Sequence, residues 1–161
     1  MREQETSAAY EAACRELRQF FEYLEPMVTP ETAAGIAATE QAMRDMEREF
    51  TFFSELDITD LVIAETLREP KDLLREGKLL GFTYRGRTVY PSFQFDPKTG
   101  MIREAVPLLL SVAAEYQIPS KELAQWLCDP SGYLSGDRPV DHLHDIGRVV
   151  EAAKDHYGVV W

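Results

Sequence analysis

The chain has 161 residues, 45% of them hydrophobic, and a formal net charge of −11, enough for one domain with a real core, or one compact domain with a small appendage. Cys14 and Cys128 lie far apart and outside any CxxC pair, which argues against a secreted disulfide scaffold. The stretch MREQETSAAYEAACRELRQFF lacks the apolar core of a signal peptide and no apolar run reaches membrane-span length, so a cytoplasmic protein without a membrane partner is expected.

From Thr6 to Leu24, the apolar residues Tyr10, Ala13, Leu17, Phe20, Phe21 and Leu24 recur at helical spacing and predict an amphipathic helix. The two prolines of EPMVTPE interrupt it. Thr29 followed by Pro30 is a cap-then-first-position signal for a second helix, reaching about Phe50 or Phe53 with Met43, Met46, Phe50 and Phe53 on one face. The pair reads as an antiparallel helical hairpin over residues 1–57, whose apolar stripe is either core or a homodimer seam.

Residues 58–103 read differently. Two short helices come first: one capped by Thr59 and carrying Leu61, Val62, Ala64 and Leu67, the next with Pro70 at its first position and Gly77 at its stop. KLLGFTYRGRTVYPSFQF then alternates as strand, turn and strand, with Arg85-Gly86 at the turn and Pro91 keeping the second strand out of a sheet's centre. Helix, turn, helix, hairpin is the order of a winged helix-turn-helix.

Residues 104–161 predict a helical region. An apolar helix from about Glu104 to Tyr116 is followed by one capped by Ser120 with Leu123, Trp126 and Leu127 inward, then the loop SGYLSGDRP. Pro139 opens a helix across Val140 to Leu143. A last helix places Val149, Val150, Ala153 and Tyr157 on one side and stops at Gly158. The fold class is therefore mainly α, with a two-stranded β-hairpin.

Signals for catalysis are thin. There is no GxSxG, and REGKLLGF lacks the glycines and the Ser or Thr of a phosphate-binding loop. In DHLHD, His142 and His144 are two positions apart and face different ways on a helix, so with Asp141 and Asp145 they read as surface polar groups rather than metal ligands. No cofactor is expected.

Charge patterning is more informative. Residues 68–103 hold 8 basic and 4 acidic residues, a local balance of +4 inside an acidic chain. Such an island is the footprint nucleic-acid binding needs, although a segment this short also differs in charge by chance. As a winged helix-turn-helix, Arg68, Lys71, Arg75 and Lys78 would flank the recognition helix and Arg85 and Arg87 would sit at the wing tip, each able to neutralise a phosphate. Asp72 and Glu76 on the same helix would repel phosphate. Tyr90, Phe93 and Phe95 fit a core better than a base-stacking platform, and with Leu79, Leu80 and Phe82 they form a hub between two subregions.

Two stretches, GKLLGFTYRGRTVYPSFQFDPKTGMI and ELAQWLCDPSGYLSGDRPVDHLHDIGRVVEAAKDHYGVVW, resemble the Xre/MbcA/ParS-type antitoxins, partners of RES-domain toxins in bacterial type II toxin–antitoxin modules. Trp126-Leu127, Pro130, Leu134, Gly136, Pro139, Leu143, Gly147 and the closing HYGVVW carry the match, which spans roughly Ile58 to Trp161. Between Ala64 and Gly77 the chain is about one helical turn shorter than that family's helix-turn-helix, a degenerate form.

The resemblance implies an antitoxin with no catalysis of its own. It would bind over the active-site cleft of a toxin that degrades NAD⁺, and its complex would repress its own operon through operator DNA. The implied toxin contacts are Trp126, then Arg148, Glu151, Ala152, Asp155 and Tyr157 of the last helix, and the tail Val159, Val160 and Trp161. That tail either folds back on its own domain or presses into the toxin with Trp161 as anchor. A homodimer or a larger hetero-oligomer with the toxin is expected. The competing expectation is a stand-alone helix-turn-helix transcriptional regulator whose C-terminal region only dimerises.

Overall fold

The computed structural model describes residues 29–158, with the side chains of Ala64 and Glu65 left out. The first expected helix, Cys14 and the tail Val159 to Trp161 lie outside the described residues. Helix α1, Pro30–Glu49, starts as its sequence signal requires: Pro30 takes the first position and Thr29 Oγ1 accepts the Thr32 amide at 3.2 Å. The boundary between two compact units, residues 1–40 and 41–161, falls within this helix. Met43 and Met46 are buried in the second unit's core.

The helix stops at Glu49, short of the expected end. Phe52–Phe53 is instead a strand, β1. Helical spacing from Met46 through Phe53 fits either state. What decides it is Ser54, which takes an extended backbone to cap helix α2, Glu55–Thr66. Ser54 Oγ accepts the Asp57 amide at 3.3 Å while Asp57 Oδ2 accepts the Ser54 amide at 2.7 Å, a capping box. The cap is thus Ser54 and not Thr59, which lies inside the helix and donates its hydroxyl to the Glu55 carbonyl. Leu67 closes α2 in a left-handed conformation, φ 55°, and projects into solvent at 87% exposure instead of joining the apolar face.

Helix α3, Pro70–Arg75, has Pro70 at its first position, and Gly77 follows it at φ +68°. Strands β2, Phe82–Tyr84, and β3, Arg87–Pro91, then form an antiparallel hairpin. Arg85 and Gly86 both have positive φ, 48° and 75°, the signature of a two-residue type I′ turn. Gly81 is required by packing, because a Cβ there would lie 2.9 Å from the Tyr90 ring.

Three strands, not two, make the sheet, in the order β1-β3-β2. Pro91 therefore lies in the central strand, contrary to the expectation from its missing N–H. The geometry shows how. On the β1 side it sits opposite Phe52, flanked by the bond from the Ser92 amide to the Thr51 carbonyl, so no proline donor is called for. On the β2 side, extending the register would set Leu80 opposite Pro91. There the fully buried side chain of Gln94 intervenes: Oε1 accepts the Leu80 amide at 2.8 Å, and Nε2 donates to the Leu80 carbonyl at 2.8 Å and the Pro91 carbonyl at 3.1 Å. A side-chain amide replaces the missing peptide donor.

The hairpin separates two apolar clusters. Leu80, Phe82, Tyr84, Val89 and Phe93 join the larger one. Leu79, Tyr90 and Phe95 join Ile58, Val62 and Leu73 in the smaller. All six hub residues named from the sequence are buried, shared three and three between the clusters.

The larger cluster continues through helices α4, Ala105–Glu115, α5, Ser120–Cys128, and α6, Ile146–Tyr157. Ser120 is the first residue of α5 and makes no side-chain cap; Pro119 holds the cap position. Between α5 and α6, Gly132–Leu134 and Pro139–His142 are 3₁₀ turns, the second standing where a further helix is expected. Gly136, at φ +91°, makes the reversal between them. Leu134 and Leu143 are buried, fixing both turns to the core. Arg138 fastens this loop to α1: its guanidinium donates two bonds to Glu49, at 2.8 and 2.9 Å, and two to Asp141, at 3.0 and 3.1 Å.

Candidate functional site

The six cations expected to meet DNA are exposed or half-buried, yet most have carboxylate partners already. Arg68 makes a two-pronged contact with Glu76, one arm at 2.7 Å. Lys78 reaches the same carboxylate at 3.2 Å. Lys71 pairs with Glu69 at 2.6 Å, and Arg75 with Asp72. Arg85 lies 3.8 Å from Glu47 and rests on the Tyr84 ring, 4.8 Å from its centroid. Arg87 is exposed and makes no ion pair among the described residues. The Arg68 guanidinium, helped by Lys78, holds the Glu76 carboxyl down to about 2. The sequence spacing hides one of these pairs: Arg68 and Glu76 are eight positions apart and meet only because α3 folds the chain between them.

The expected toxin contacts divide in three. Arg148, Glu151 and Asp155 are exposed and follow one another at helical spacing, forming a polar stripe along α6. Beside it runs a groove of about 340 Å³ lined by Leu108, Ile146, Gly147, Val150, Glu151 and Lys154. Leu108 is 47% exposed, on the outward side of α4 with Ser111, Ala114 and Glu115. Ala152 is only 4% exposed and packs in the core, so it is not available to a partner; residues 149, 152 and 153 are the inward face of α6.

Trp126 and Tyr157 belong to a different place, a cleft of about 450 Å³ between α5, the Gly132–Leu134 turn and the end of α6. Trp126 is mostly covered, its indole stacked on His156 at 5.6 Å and tilted to Tyr157 at 5.7 Å. Tyr133 meets the His156 ring at 78°. Glu122 and Asp129 stand on the rim, and no Lys or Arg lines the wall. Two hydroxyls here, Ser131 Oγ and Tyr157 Oη, are buried without a hydrogen-bond partner among the described residues. Burial, with the Glu122 carboxylate adding to it, pushes the Tyr157 phenol well above its ordinary range. Sequence reasoning missed Ser131 and Tyr133; the loop chemistry of SGYLSGD gave no sign that it closes over Trp126.

DHLHD is resolved into local contacts. His142 Nε2 lies 2.9 Å from Asp137, Asp141 is held by Arg138, and Asp145 caps α6. No described helix is long and apolar enough to cross a membrane.

No protein-family model and no curated protein matches the chain. Among solved structures, the NMR structure of Rv2175c is similar, with a TM-score of 0.56 and 24% identity over 66% of this chain and 80% of that one. The likeness is one of fold: a mainly helical protein with a small antiparallel sheet.

Proposed function

We propose that the chain is a non-catalytic binding protein, an antitoxin that occludes the active site of an NAD⁺-degrading RES-type toxin. The observation that carries this reading is the outer surface of α6: the stripe Arg148, Glu151 and Asp155 lies beside the apolar groove of Leu108, Ile146 and Val150. An apolar strip rimmed by charge is the make-up of a docking surface. The motif residues behind the family resemblance support it from below, because Leu127, Leu134 and Leu143 are buried and Gly136 turns the loop, so together they hold α6 in place. A body of net charge −11 complements a cleft that binds nucleotide phosphates. The test is co-expression with a RES-type toxin from the adjacent reading frame, scoring growth and co-purification. Rescue by the wild type and its loss in Glu151→Lys/Asp155→Lys, with the helical spectrum unchanged, is the expected result. Undiminished rescue by the double variant removes α6 from the interface.

A second reading, DNA binding by a winged helix-turn-helix, is favoured by the order β1, α2, α3, β2, β3. Its recognition helix would be α3, of only 6 residues, with Lys71 and Arg75 each held by a carboxylate. Binding through this face is therefore weak alone and strongly salt-dependent, as phosphate contacts are. Charge reversal at Arg85 and Arg87 abolishes it in a gel-shift assay if the reading holds; equal retardation by that variant and wild type rules out the wing.

A further inference from the structure

We infer that the outward face of α2 is a docking seam for an amphipathic helix of a partner protein, one that carries a lysine or arginine within its own apolar stripe, opposite Asp60. Helix α2 is apolar on two opposite sides. Ile58 and Val62 are buried in the smaller cluster. On the other side Leu56, Asp60, Ile63 and Leu67 follow one another at steps of four, three and four residues, a line about 16 Å long. Leu56 and Leu67 are each 87% exposed and Ile63 is 38% exposed. A helix with apolar residues on all sides is ordinarily covered on all sides. Leu67 adds an independent sign. It ends α2 at φ 55°, a conformation that glycine or asparagine ordinarily supplies, whereas the other described non-glycine residues with positive φ, Arg85, Gln117 and Ser135, are polar. A leucine held there in contact with solvent is unfavourable twice over, in backbone and in hydration, and such outliers collect where a surface is used.

The spacing selects a helix as occupant, because four-three-four steps are the seam into which a second helix packs its own side chains. The charge selects its chemistry. Asp60 is exposed within the seam itself, Glu55 is exposed beside Leu56, and α2 contains no lysine or arginine. A covering helix that brought no cation would bury the Asp60 carboxylate unpaired, which is strongly unfavourable. A second copy of this chain fails that condition. Paired antiparallel, it would set Asp60 against Ile63; paired parallel, it would set Asp60 against Asp60. The predicted helix of residues 6–24 fails it too, since its stripe of Tyr10, Ala13, Leu17, Phe20, Phe21 and Leu24 holds no cation. A partner lysine or arginine at the level of Asp60 supplies the missing charge and fixes the register, as a single polar position does in a coiled coil. The seam shares no residue with the α6 surface, so the two readings can fail separately.

The test is an NMR titration of the full-length protein, labelled at its isoleucine and leucine methyls, with two synthetic peptides of about 20 residues, a length that supports a helix. Both carry a stripe of leucines at seam spacing, interrupted at one central position by lysine in the first and by glutamate in the second. The lysine peptide should shift the Leu56, Ile63 and Leu67 methyls saturably, with a dissociation constant of about 10–100 μM. The glutamate peptide should bind about tenfold more weakly or worse. Asp60→Lys should invert that preference. Leu56→Ser/Leu67→Asn should weaken the lysine peptide by about tenfold or more. Asparagine tolerates the left-handed backbone and all three positions are exposed, so the variants should fold. Equal affinity for the two peptides, no inversion in Asp60→Lys, undiminished binding by Leu56→Ser/Leu67→Asn, or no saturable shift by about 1 mM peptide overturns the proposal. So does concentration-dependent self-association that Leu56→Ser/Leu67→Asn abolishes, which would give the seam to a second copy. Shielding of the Leu56 and Leu67 methyls from a soluble paramagnetic agent in the free protein would give it to the chain itself, and overturns the proposal as well.

Discussion

The region of α2, α3 and the hairpin and the region of α4 to α6 are built on opposite plans. In the first, a small core of Ile58, Val62, Leu73, Leu79, Tyr90 and Phe95 lies under a surface most of whose cations are paired with near neighbours. In the second, a large core supports groups without a partner among the described residues: the side chains of the α6 stripe and the apolar groove beside it at the surface, and the two buried hydroxyls of Ser131 and Tyr157. Cations already paired have little to gain from a phosphate, whereas unsatisfied groups held on a rigid frame gain from a ligand. Net charge counted along the sequence points to the first region; hydrogen-bond accounting in three dimensions points to the second.

The difference in core size can be broken open by truncation. Leu127→Ala, at a position 1% exposed in the large cluster, should cost about 3–5 kcal/mol, read from the denaturation midpoint. Because the frame of α6 rests on the same core, the Trp126 signal should change with it. A loss below about 1 kcal/mol would mean that the cluster collapses around the gap.

Next in size is Gln94→Leu. Removing the amide leaves the Leu80 N–H, the Leu80 carbonyl and the Pro91 carbonyl short of partners in a dry interior, a loss of about 2–3 kcal/mol. Amide hydrogen exchange should show the Leu80 N–H opening far faster than in the wild type. An unchanged exchange rate would mean that water replaces the side chain.

Arg138→Met tests the charged cluster of Arg138, Glu49 and Asp141, which ties the end of α1 to the second region. Its four hydrogen bonds to Glu49 and Asp141 are partly exposed, so the expected loss is about 1–2 kcal/mol rather than the full worth of buried pairs. If the midpoint stays where it is, this cluster does not hold α1, and the buried Met43 and Met46 carry the attachment without it.

The smallest effects concern the ion-paired region and are read by titration. The Glu76 carboxyl is held at about 2 in the folded state against an ordinary value of 4.5. Since the folded value is the lower, the pair stabilises the fold above the ordinary value, and that contribution fades as pH falls from 4.5 toward about 2. Arg68→Gln should raise the Glu76 midpoint toward 4.5 in a carboxyl-detected NMR titration; a midpoint that does not move assigns the effect to Lys78. The same logic gives the sharpest test of the regional contrast. If the α3 face meets DNA, Glu69→Gln/Asp72→Asn/Glu76→Gln should steepen the salt dependence, by about 0.9 in slope for each cation freed.

Much of this organisation is legible in the sequence where a residue's role is local. Arg85-Gly86 specifies its turn, Thr29-Pro30 and Pro70 specify helix starts, and the alternation through Leu80, Phe82 and Tyr84 specifies a strand with one buried face. Legibility fails where partners are distant. Phe52 and Phe53, at the expected end of the helix, form a strand because Tyr90 and Pro91 of β3, nearly forty positions later, pair with them. Pro91 sits in a central strand because Gln94 completes its ladder, a compensation no propensity records. Ala152 falls on the inward side of α6 because the loop from Ser131 to Leu143 fixes how that helix is turned, and the cleft beneath Tyr133 exists for the same reason.

Pro91 and Gln94 have a bearing on descent as well as on stability. A proline arising at position 91 in an ancestor lacking the glutamine would have opened a gap in the sheet, and a glutamine without the proline would have competed with a peptide for the same space. Each change is harmful first and tolerable second, so the two positions should travel together through related chains as a linked pair, replaced jointly or not at all. Chains that carry an ordinary donor at position 91 should carry an apolar residue at position 94 in place of the buried glutamine.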